Sequence, residues 1–299
     1  TISYSVTGVQ TFALPILNAF NLVTLLQAIT LFLILILGFF TFRVFTLMTF
    51  YMALLLSHIL SMVVSTWYLR PEIRRTSFSG GKGVIGQLLR FGTFVQAANI
   101  FQTLNYRLGL KFVDHFLGRA PVGILTIGLQ LSEAVWLLSR SISTVQYSRL
   151  SNEMKFDYSV KLTLVLVKIS FIITLLPMVM LVALPEEFYM LFLPVSFTGV
   201  RPVILSLSPG IVILSVSIVL SSFFSAINRP YHNMISSAAG LGVTIIAGLW
   251  LIPRCGLPGA GWMASASYLV ITIYQFVVFY RISHLRPGDF LPKKSDWHL

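Results

Sequence analysis

The sequence predicts an all-α, polytopic membrane protein with about eight transmembrane helices. Hydrophobic residues make up 56% of its 299 residues, and charged residues make up only 10%. Several apolar runs are long enough to cross a hydrocarbon core of about 30 Å. Lysines and arginines collect in alternate loops between these runs. The net charge of +12 therefore reflects membrane topology and anionic lipid rather than binding to nucleic acid.

Eight candidate spans follow one another along the chain. They cover residues 18–42, 44–69, 91–115, 121–146, 160–184, 202–225, 233–252 and 259–280. A basic, glycine-containing segment at 70–90, RPEIRRTSFSGGKGVIGQLLR, separates the first two spans (18–69) from the other six. We interpret this segment as a cytoplasmic linker, residues 91–282 as a six-helix bundle and residues 283–299 as a cytoplasmic tail.

The N-terminal residues 1–17 are predicted to be non-native or disordered. The stretch Thr7–Ile16, TGVQTFALPI, resembles a translated sequencing adaptor. We therefore expect native sequence to begin near Leu17 and the protein to be an N-terminally truncated fragment.

The orientation of the spans follows from the basic residues. Of the 21 lysines and arginines, 14 fall on the side that holds the 70–90 segment and the C-terminal tail. Five fall on the other side, and they are Arg43, Lys111, Arg119, Arg201 and Arg254. The richer side is predicted to be cytoplasmic, which places the C-terminus in the cytoplasm.

An arginine interrupts the otherwise uncharged run from Phe91 to Leu110. Arg107 shares a helical face with Gln96, Asn99, Thr103 and Tyr106. A charge at the bilayer centre costs at least about 2.5 kcal/mol. This polar stripe is therefore predicted to line a hydrated cavity, and Asn105 beside it could also offer hydrogen bonds.

Three further ionisable residues lie within predicted spans: Glu133, Arg140 and Lys168. Lys168 could reach the cytoplasmic surface along its own helix or line the cavity. Glu133 is predicted to be protonated, exposed to water or paired with Arg107 or Arg140, which leaves a structural ion pair and a coupling-ion site equally open.

Catalytic and metal-binding patterns are absent from the sequence. The five histidines are scattered, Cys255 is the only cysteine, and no pair of intramembrane carboxylates suggests hydrolysis. GGKG at Gly80–Gly83 lacks the other residues of a phosphate-binding loop. We expect a protein that is not an enzyme, uses no cofactor or metal, and binds and moves an anion.

The string LLRFGTFVQAANIFQTLNYRLGLKFVDHFLGRAPVGILTIGLQLSEAVWLLSRSISTVQYSRLSNE, from Leu88 to Glu153, resembles helices seven and eight of the bacterial polysaccharide transporter family. These proteins are O-antigen-type flippases. LSPGIVILSVSIVLSSFFSAINRP and LIPRCGLPGAGWMASASYLV resemble the tenth helix and the closing pair of the same family. The resemblance covers residues 18–285. Thr93, Gly109 and Gln146 with Tyr147 depart from the family pattern.

The resemblance implies a fold like that of the MATE multidrug exporters of the MOP superfamily, with two six-helix bundles around a cavity. On that scheme residues 18–69 are the last two helices of the N-terminal bundle. The implied function is alternating-access flipping of an undecaprenyl-pyrophosphate-linked oligosaccharide across the bacterial inner membrane for surface polysaccharide synthesis. Implied partners are this lipid-linked substrate, membrane lipids, a polysaccharide polymerase and chain-length proteins, with no nucleic acid.

Site roles follow from this reading. Arg107 is the expected pyrophosphate contact, because a guanidinium binds phosphate through two parallel hydrogen bonds. Gln96, Asn99, Asn105 and Tyr106 would contact sugar hydroxyls or water. Arg140 and Lys168 are further cationic candidates, and Glu133 is the ion-coupling candidate. Two alternatives stay open: a MATE-like small-molecule or drug antiporter, and a membrane scaffold that transports nothing.

Overall fold

The computed structural model describes residues 22–38, 40, 47–75, 81–151, 155–194 and 197–283. The helices in these ranges are α1 Leu22–Gly38, α2 Leu47–Arg75, α3 Gly81–Leu117, α4 Arg119–Ala134, α5 Leu137–Ser151, α6 Phe156–Ala183, α7 Glu186–Phe192, α8 Val200–Ala226 and α9 Tyr231–Ser283. No strand occurs among the residues described. The predicted non-native N-terminus (1–17) and residues 284–299 of the tail predicted to be cytoplasmic lie outside these ranges.

The all-α, membrane-spanning class predicted from the sequence is confirmed. Within the described ranges, four helices are long and apolar enough to cross a membrane: Leu47–Tyr68 of α2, together with α6, α8 and α9. The bent pair α4 and α5 adds a fifth candidate. α3 covers the predicted span 91–115 but does not belong to this set, because the polar stripe lowers its hydropathy.

α9 combines the last two predicted spans in one run of helical residues. Its backbone leaves helical geometry at Gly256, where φ is 62° and ψ is −142°. Only glycine adopts such a conformation at little cost. The two halves then pack closely, since a Cβ on Gly259 would lie 2.4 Å from the carbonyl oxygen of Leu251. α9 is therefore a helical hairpin, and Ser267 Oγ in its second half donates to Gly240 O in its first half at 2.9 Å.

The fourth predicted span, 121–146, was expected to be one continuous helix, and the structure corrects this. The chain bends by 50° between α4 and α5, although neither proline nor glycine lies at the break. Short-range bonds replace the regular ladder there, from Val135 N–H to Ser132 O at 3.3 Å and from Trp136 N–H to Glu133 O at 3.1 Å. The cause is tertiary, because each half is attached separately to its neighbours.

The attachments of the two halves differ in chemistry. On α4, Gly128 lies so close to α8 that a Cβ there would be 2.7 Å from Val203. On α5, Ser139 hydrogen-bonds Thr174 and Ser170 of α6, and Ser143 donates to Ile218 O of α8 at 3.1 Å. α4 is thus held by close van der Waals packing, whereas α5 is held by hydrogen bonds of its serine hydroxyl groups.

The chain divides into two compact units, Thr1–Val84 and Ile85–Leu299. In the first unit, Gln27 of α1 and His58 of α2 share a hydrogen bond of 3.1 Å. The boundary falls inside the 70–90 segment interpreted as a linker. Helical residues occupy most of that segment, because α2 continues to Arg75 and α3 begins at Gly81.

The second unit is built around α8, the most buried of the candidate spans. Its core holds Val203, Leu207, Ile211, Phe223 and Phe224, all fully buried. Many large apolar side chains elsewhere are exposed, as expected for surfaces that face lipid. The chain is a multi-pass membrane protein.

Candidate functional site

A cavity of about 940 Å³ lies in the second unit. α3, α4, α5, α8 and α9 contribute its walls. The polar and aromatic lining residues are Asn99, Gln102, Thr103, Asn105, Tyr106, Arg107, Glu133, Trp136, Arg140, Ser143, Thr144, Ser217, Ser221, Ser222, Tyr268 and Gln275. Such a volume is large enough for a drug-sized molecule or an oligosaccharide headgroup.

Two ionisable lining residues lie well inside the helices that carry them. Arg107 comes ten residues before Leu117, the end of α3, which is about 15 Å at 1.5 Å per residue. Glu133 lies about 21 Å from the start of α4, at the same end of the bundle.

The lining changes character along the bundle. Toward the Leu117 end it is apolar, with Leu110, Leu125 and Met263. Toward the Ser151 end it is rich in hydroxyl and amide groups. The charged residues therefore lie between an apolar level and a neutral polar level.

The structure brings most of the predicted polar stripe together. Asn99, Thr103, Tyr106 and Arg107 all line the cavity. Gln96 does not belong to the lining, although it is exposed on the same helix. Arg107 is exposed to the cavity, so its guanidinium keeps its hydrogen-bond donors available.

Asn105 also lines the cavity, but its amide is already engaged. Its Nδ2 donates to Ser267 Oγ at 2.9 Å, and its Oδ1 accepts a hydrogen bond from Thr244 Oγ1. Ser267 Oγ in turn donates to Gly240 O at 2.9 Å. Asn105 thus joins α3 to both halves of α9 and orients the face that carries Arg107.

Glu133 is the single acidic side chain among the lining residues. Electrostatic interactions connect it with Arg140, Tyr106 and Tyr268. The residues described include no ion pair between Glu133 and either cavity arginine. Its surroundings are therefore a mixed cationic and phenolic group rather than a closed salt bridge.

Arg140 lines the cavity from α5, one helical turn beyond Trp136. Its Cζ lies 5.3 Å from the centroid of the Trp136 ring, a cation–π distance. Trp136 and Arg140 follow Glu133 by three and seven residues, across the break between α4 and α5. Two guanidinium groups from separate helices, Arg107 and Arg140, thus line one cavity.

Lys168 does not belong to the lining. It lies on α6, which contributes no lining residue, and its side chain is partly buried. The structure therefore does not bring Lys168 together with Arg107 and Arg140.

Sequence reasoning missed the hydroxyl-rich wall. Ser217 Oγ donates to Gln275 Oε1 at 2.7 Å, and the Gln275 amide donates to Asn233 and Ser236 at 3.2 and 3.1 Å. The recurrence of serine through α8 and the second half of α9 was the available signal. These bonds join α8 to both halves of α9.

Metal ligation receives no support in the described ranges. They contain no group of three or more His, Cys, Asp or Glu side chains that could hold a metal ion.

Comparison with known proteins identifies the fold but no family. No family model matches the chain, and no curated protein matches it. A crystal structure of a mutant MATE protein is similar with a TM-score of 0.73 and 15% identity, over 88% of this chain and 61% of that one. The MATE transporter ClbM in complex with Rb+ is similar with a TM-score of 0.66 and 14% identity, over 90% of this chain and 61% of that one.

The chain thus spans about 61% of the length of these two structures. Identities of 14 and 15% establish the architecture rather than the substrate. The protein shares the fold of the MATE transporters.

Proposed function

We propose that this protein is a transporter of flippase type, which moves a lipid-linked anionic oligosaccharide across a bacterial inner membrane. The observation that carries the proposal is the presence of Arg107 and Arg140 in one membrane cavity. Two cations that form no salt bridge within the described ranges are expensive at this depth unless an anion or water satisfies them. The cavity lining offers one carboxylate and no nucleophile–base pair, so the bound anion is carried rather than cleaved.

A pyrophosphate-linked substrate fits this arrangement. Guanidinium groups bind phosphate oxygens through paired hydrogen bonds and stay charged when partly desolvated. In this proposal each of the two arginines, on separate helices, would contact one phosphoryl group of the pyrophosphate. Asn99, Gln102 and Thr103 beside Arg107 offer hydrogen bonds to sugar hydroxyls. The polyprenyl tail would remain in lipid while the headgroup crosses the cavity.

Alternating access is the mechanism that the fold favours, with one bundle moving against the other around the substrate. Undecaprenyl pyrophosphate is the carrier that the sequence resemblance implies. A polymerase and chain-length proteins would act on the product, and the C-terminus would lie in the cytoplasm.

A second candidate function is exchange of small molecules, because both similar structures are MATE proteins. A cationic substrate would then bind near Glu133, Tyr106 and Tyr268. The charge of the lining disfavours a cationic substrate, because two arginines line the cavity and only one carboxylate does. The scaffold reading is weaker still, because a scaffold has no need of cations in a membrane cavity.

A binding experiment separates these readings. The purified protein, in nanodiscs, is offered a fluorescent polyprenyl-pyrophosphate disaccharide, the matching monophosphate and a lipophilic cationic dye. We expect saturable binding of the pyrophosphate, weaker binding of the monophosphate and none of the dye. Saturable binding of the dye alone would favour the exchanger, and binding of none of the three would favour the scaffold.

A further inference from the structure

A short helix, α7, lies between the spans α6 and α8 and was not predicted from the sequence. It covers Glu186–Phe192 and is too short to cross a membrane. α6 ends three residues before it and α8 begins eight residues after it. α7 therefore lies at the level where both spans leave the hydrocarbon core.

The inward side of α7 is tied firmly to its neighbours. Tyr189 is only 4% exposed, and its hydroxyl donates to Leu181 O of α6. Glu186 Oε1 accepts a hydrogen bond of 2.7 Å from Gly199 N–H, immediately before α8. Arg201 Nε donates to Leu184 O at 3.0 Å. Hydrogen bonds at the ends of both spans thus fix the orientation of α7 about its own axis.

The phenol of Tyr189 stays protonated at neutral pH. Burial raises the pKa of Tyr189 above its ordinary value, with the nearby Arg201 acting in the opposite direction. The hydroxyl therefore remains a donor to α6, and the orientation of α7 does not depend on pH near neutrality.

The opposite side of α7 presents large apolar groups with no protein cover in the described residues. Leu191 is 75% exposed, Phe192 is 71% exposed and Phe188 is 42% exposed. Phe188 and Phe192 pack edge to face, with ring centroids 5.5 Å apart. On the adjoining last turns of α6, Leu176 and Met180 are also strongly exposed. These α6 residues belong to a membrane span, so the natural neighbour of this surface is lipid.

We propose that α7 is an interfacial anchor, which inserts Phe188, Leu191 and Phe192 among the acyl chains just below the lipid headgroups. Aromatic residues are enriched at this depth, and amphipathic helices lie there in the membrane plane. Glu186 and Glu187 on α7 disfavour anionic lipid, so a zwitterionic headgroup is the fitting partner. This inference is independent of the transported substrate.

Spin labelling in zwitterionic liposomes tests the anchor. The single cysteine is replaced by Cys255→Ser, and Phe192→Cys or Glu187→Cys is introduced for a nitroxide label. Glu187 is exposed and lies about 100° from Phe188 and about 140° from Phe192 around the helix, so it is the control for these two positions. It lies only about 40° from Leu191, so Leu191 is not used as a probe. We expect the collision ratio of oxygen to a water-soluble nickel chelate to be several-fold higher at 192 than at 187.

Two results would overturn the proposal. Equally low ratios at both positions would show that α7 stands in water, and equally high ratios would show that it does not lie with one face toward the headgroups. A label at 192 that neither oxygen nor the nickel chelate reaches would show that protein covers this face. Phe188→Cys serves as a second probe of the apolar side, and we expect it to give the same result as Phe192→Cys.

Discussion

At the scale of single residues, one cavity brings together two arginines and a single carboxylate, Glu133. Arg107 and Arg140 form no salt bridge with a carboxylate in the described ranges, whereas Glu133 interacts with phenols as well as with Arg140. Asn105 lines the same cavity, and its amide joins α3 to both halves of α9.

We expect Arg107→Ala to weaken binding of the pyrophosphate-linked probe about 10- to 100-fold. Loss of a charged hydrogen-bond pair removes roughly 1.5–3 kcal/mol, and each 1.4 kcal/mol is tenfold in affinity. Arg107→Lys keeps the charge but loses the paired geometry, so an intermediate affinity is expected. Titration of the probe in nanodiscs measures the effect.

Lys111→Ala is the matched control for this series. Lys111 lies one turn further along α3 and is exposed, but it does not line the cavity. Its removal should leave affinity within about twofold, the difference expected of a screened surface charge. An equal loss in the two alanine variants would place the anion outside the cavity.

Substitution of Glu133 tests the coupling role. An ionised carboxylate in the cavity repels an anionic headgroup, so probe affinity should fall as pH rises through the titration of Glu133. Glu133→Gln should bind at the low-pH level throughout, and its pH profile should be flat. Titration of the probe in a series of buffers from acidic to alkaline pH measures the profile.

Glu187→Gln is the control, since Glu187 is exposed on α7, away from the cavity. The same pH profile in wild type and in Glu133→Gln would reduce Glu133 to a structural role.

At the scale of elements, close packing around α8 and α9 explains where glycine is required. A Cβ on Gly261 would lie 1.9 Å from Ser206 Oγ and 2.8 Å from Ser206 Cβ. At Gly242, by contrast, a Cβ would meet nothing within 4 Å. Both glycines lie in α9, but only one is at a contact with α8.

We expect Gly261→Ala to lower the free energy of unfolding by about 1–3 kcal/mol, because the added methyl group separates α8 from α9. Gly242→Ala should be neutral or stabilising by up to about 1 kcal/mol, since alanine favours a helix. Thermal unfolding in detergent, followed by fluorescence of the native tryptophans, compares the two. A loss of stability in Gly242→Ala as large as in Gly261→Ala would contradict the packing explanation.

At the scale of the whole molecule, the second unit reverses the polarity of a soluble protein. Hydroxyl and amide groups meet between its helices, as in Ser139, Ser170 and Thr174, whereas leucine, isoleucine and phenylalanine cover much of its surface. Lipid supplies an apolar environment outside, so polar bonds hold helices together within. The basic loops then determine which side faces the cytoplasm.

A C-terminal fusion tests this orientation. We expect a fluorescent protein fused after Leu299 to fluoresce, and alkaline phosphatase at the same place to be inactive, because the C-terminal tail belongs to the basic side. Reporter activity in intact bacteria is the measurement. Active phosphatase with a dark fluorescent protein would reverse the predicted orientation.

The sequence by itself determined the membrane setting, the all-helical class and the face of α3 that carries Asn99, Tyr106 and Arg107. These features follow from apolar length and helical period, which are local properties of the chain.

Only the tertiary structure decided which residues line the cavity and what they contact. The break between α4 and α5 carries no proline or glycine, and the exclusion of Lys168 from the cavity depends on which way α6 faces. Asn105 acquired its partners from residues 139 and 162 positions away. Periodicity shows which face of a helix is polar, but contacts between distant helices determine what that face meets.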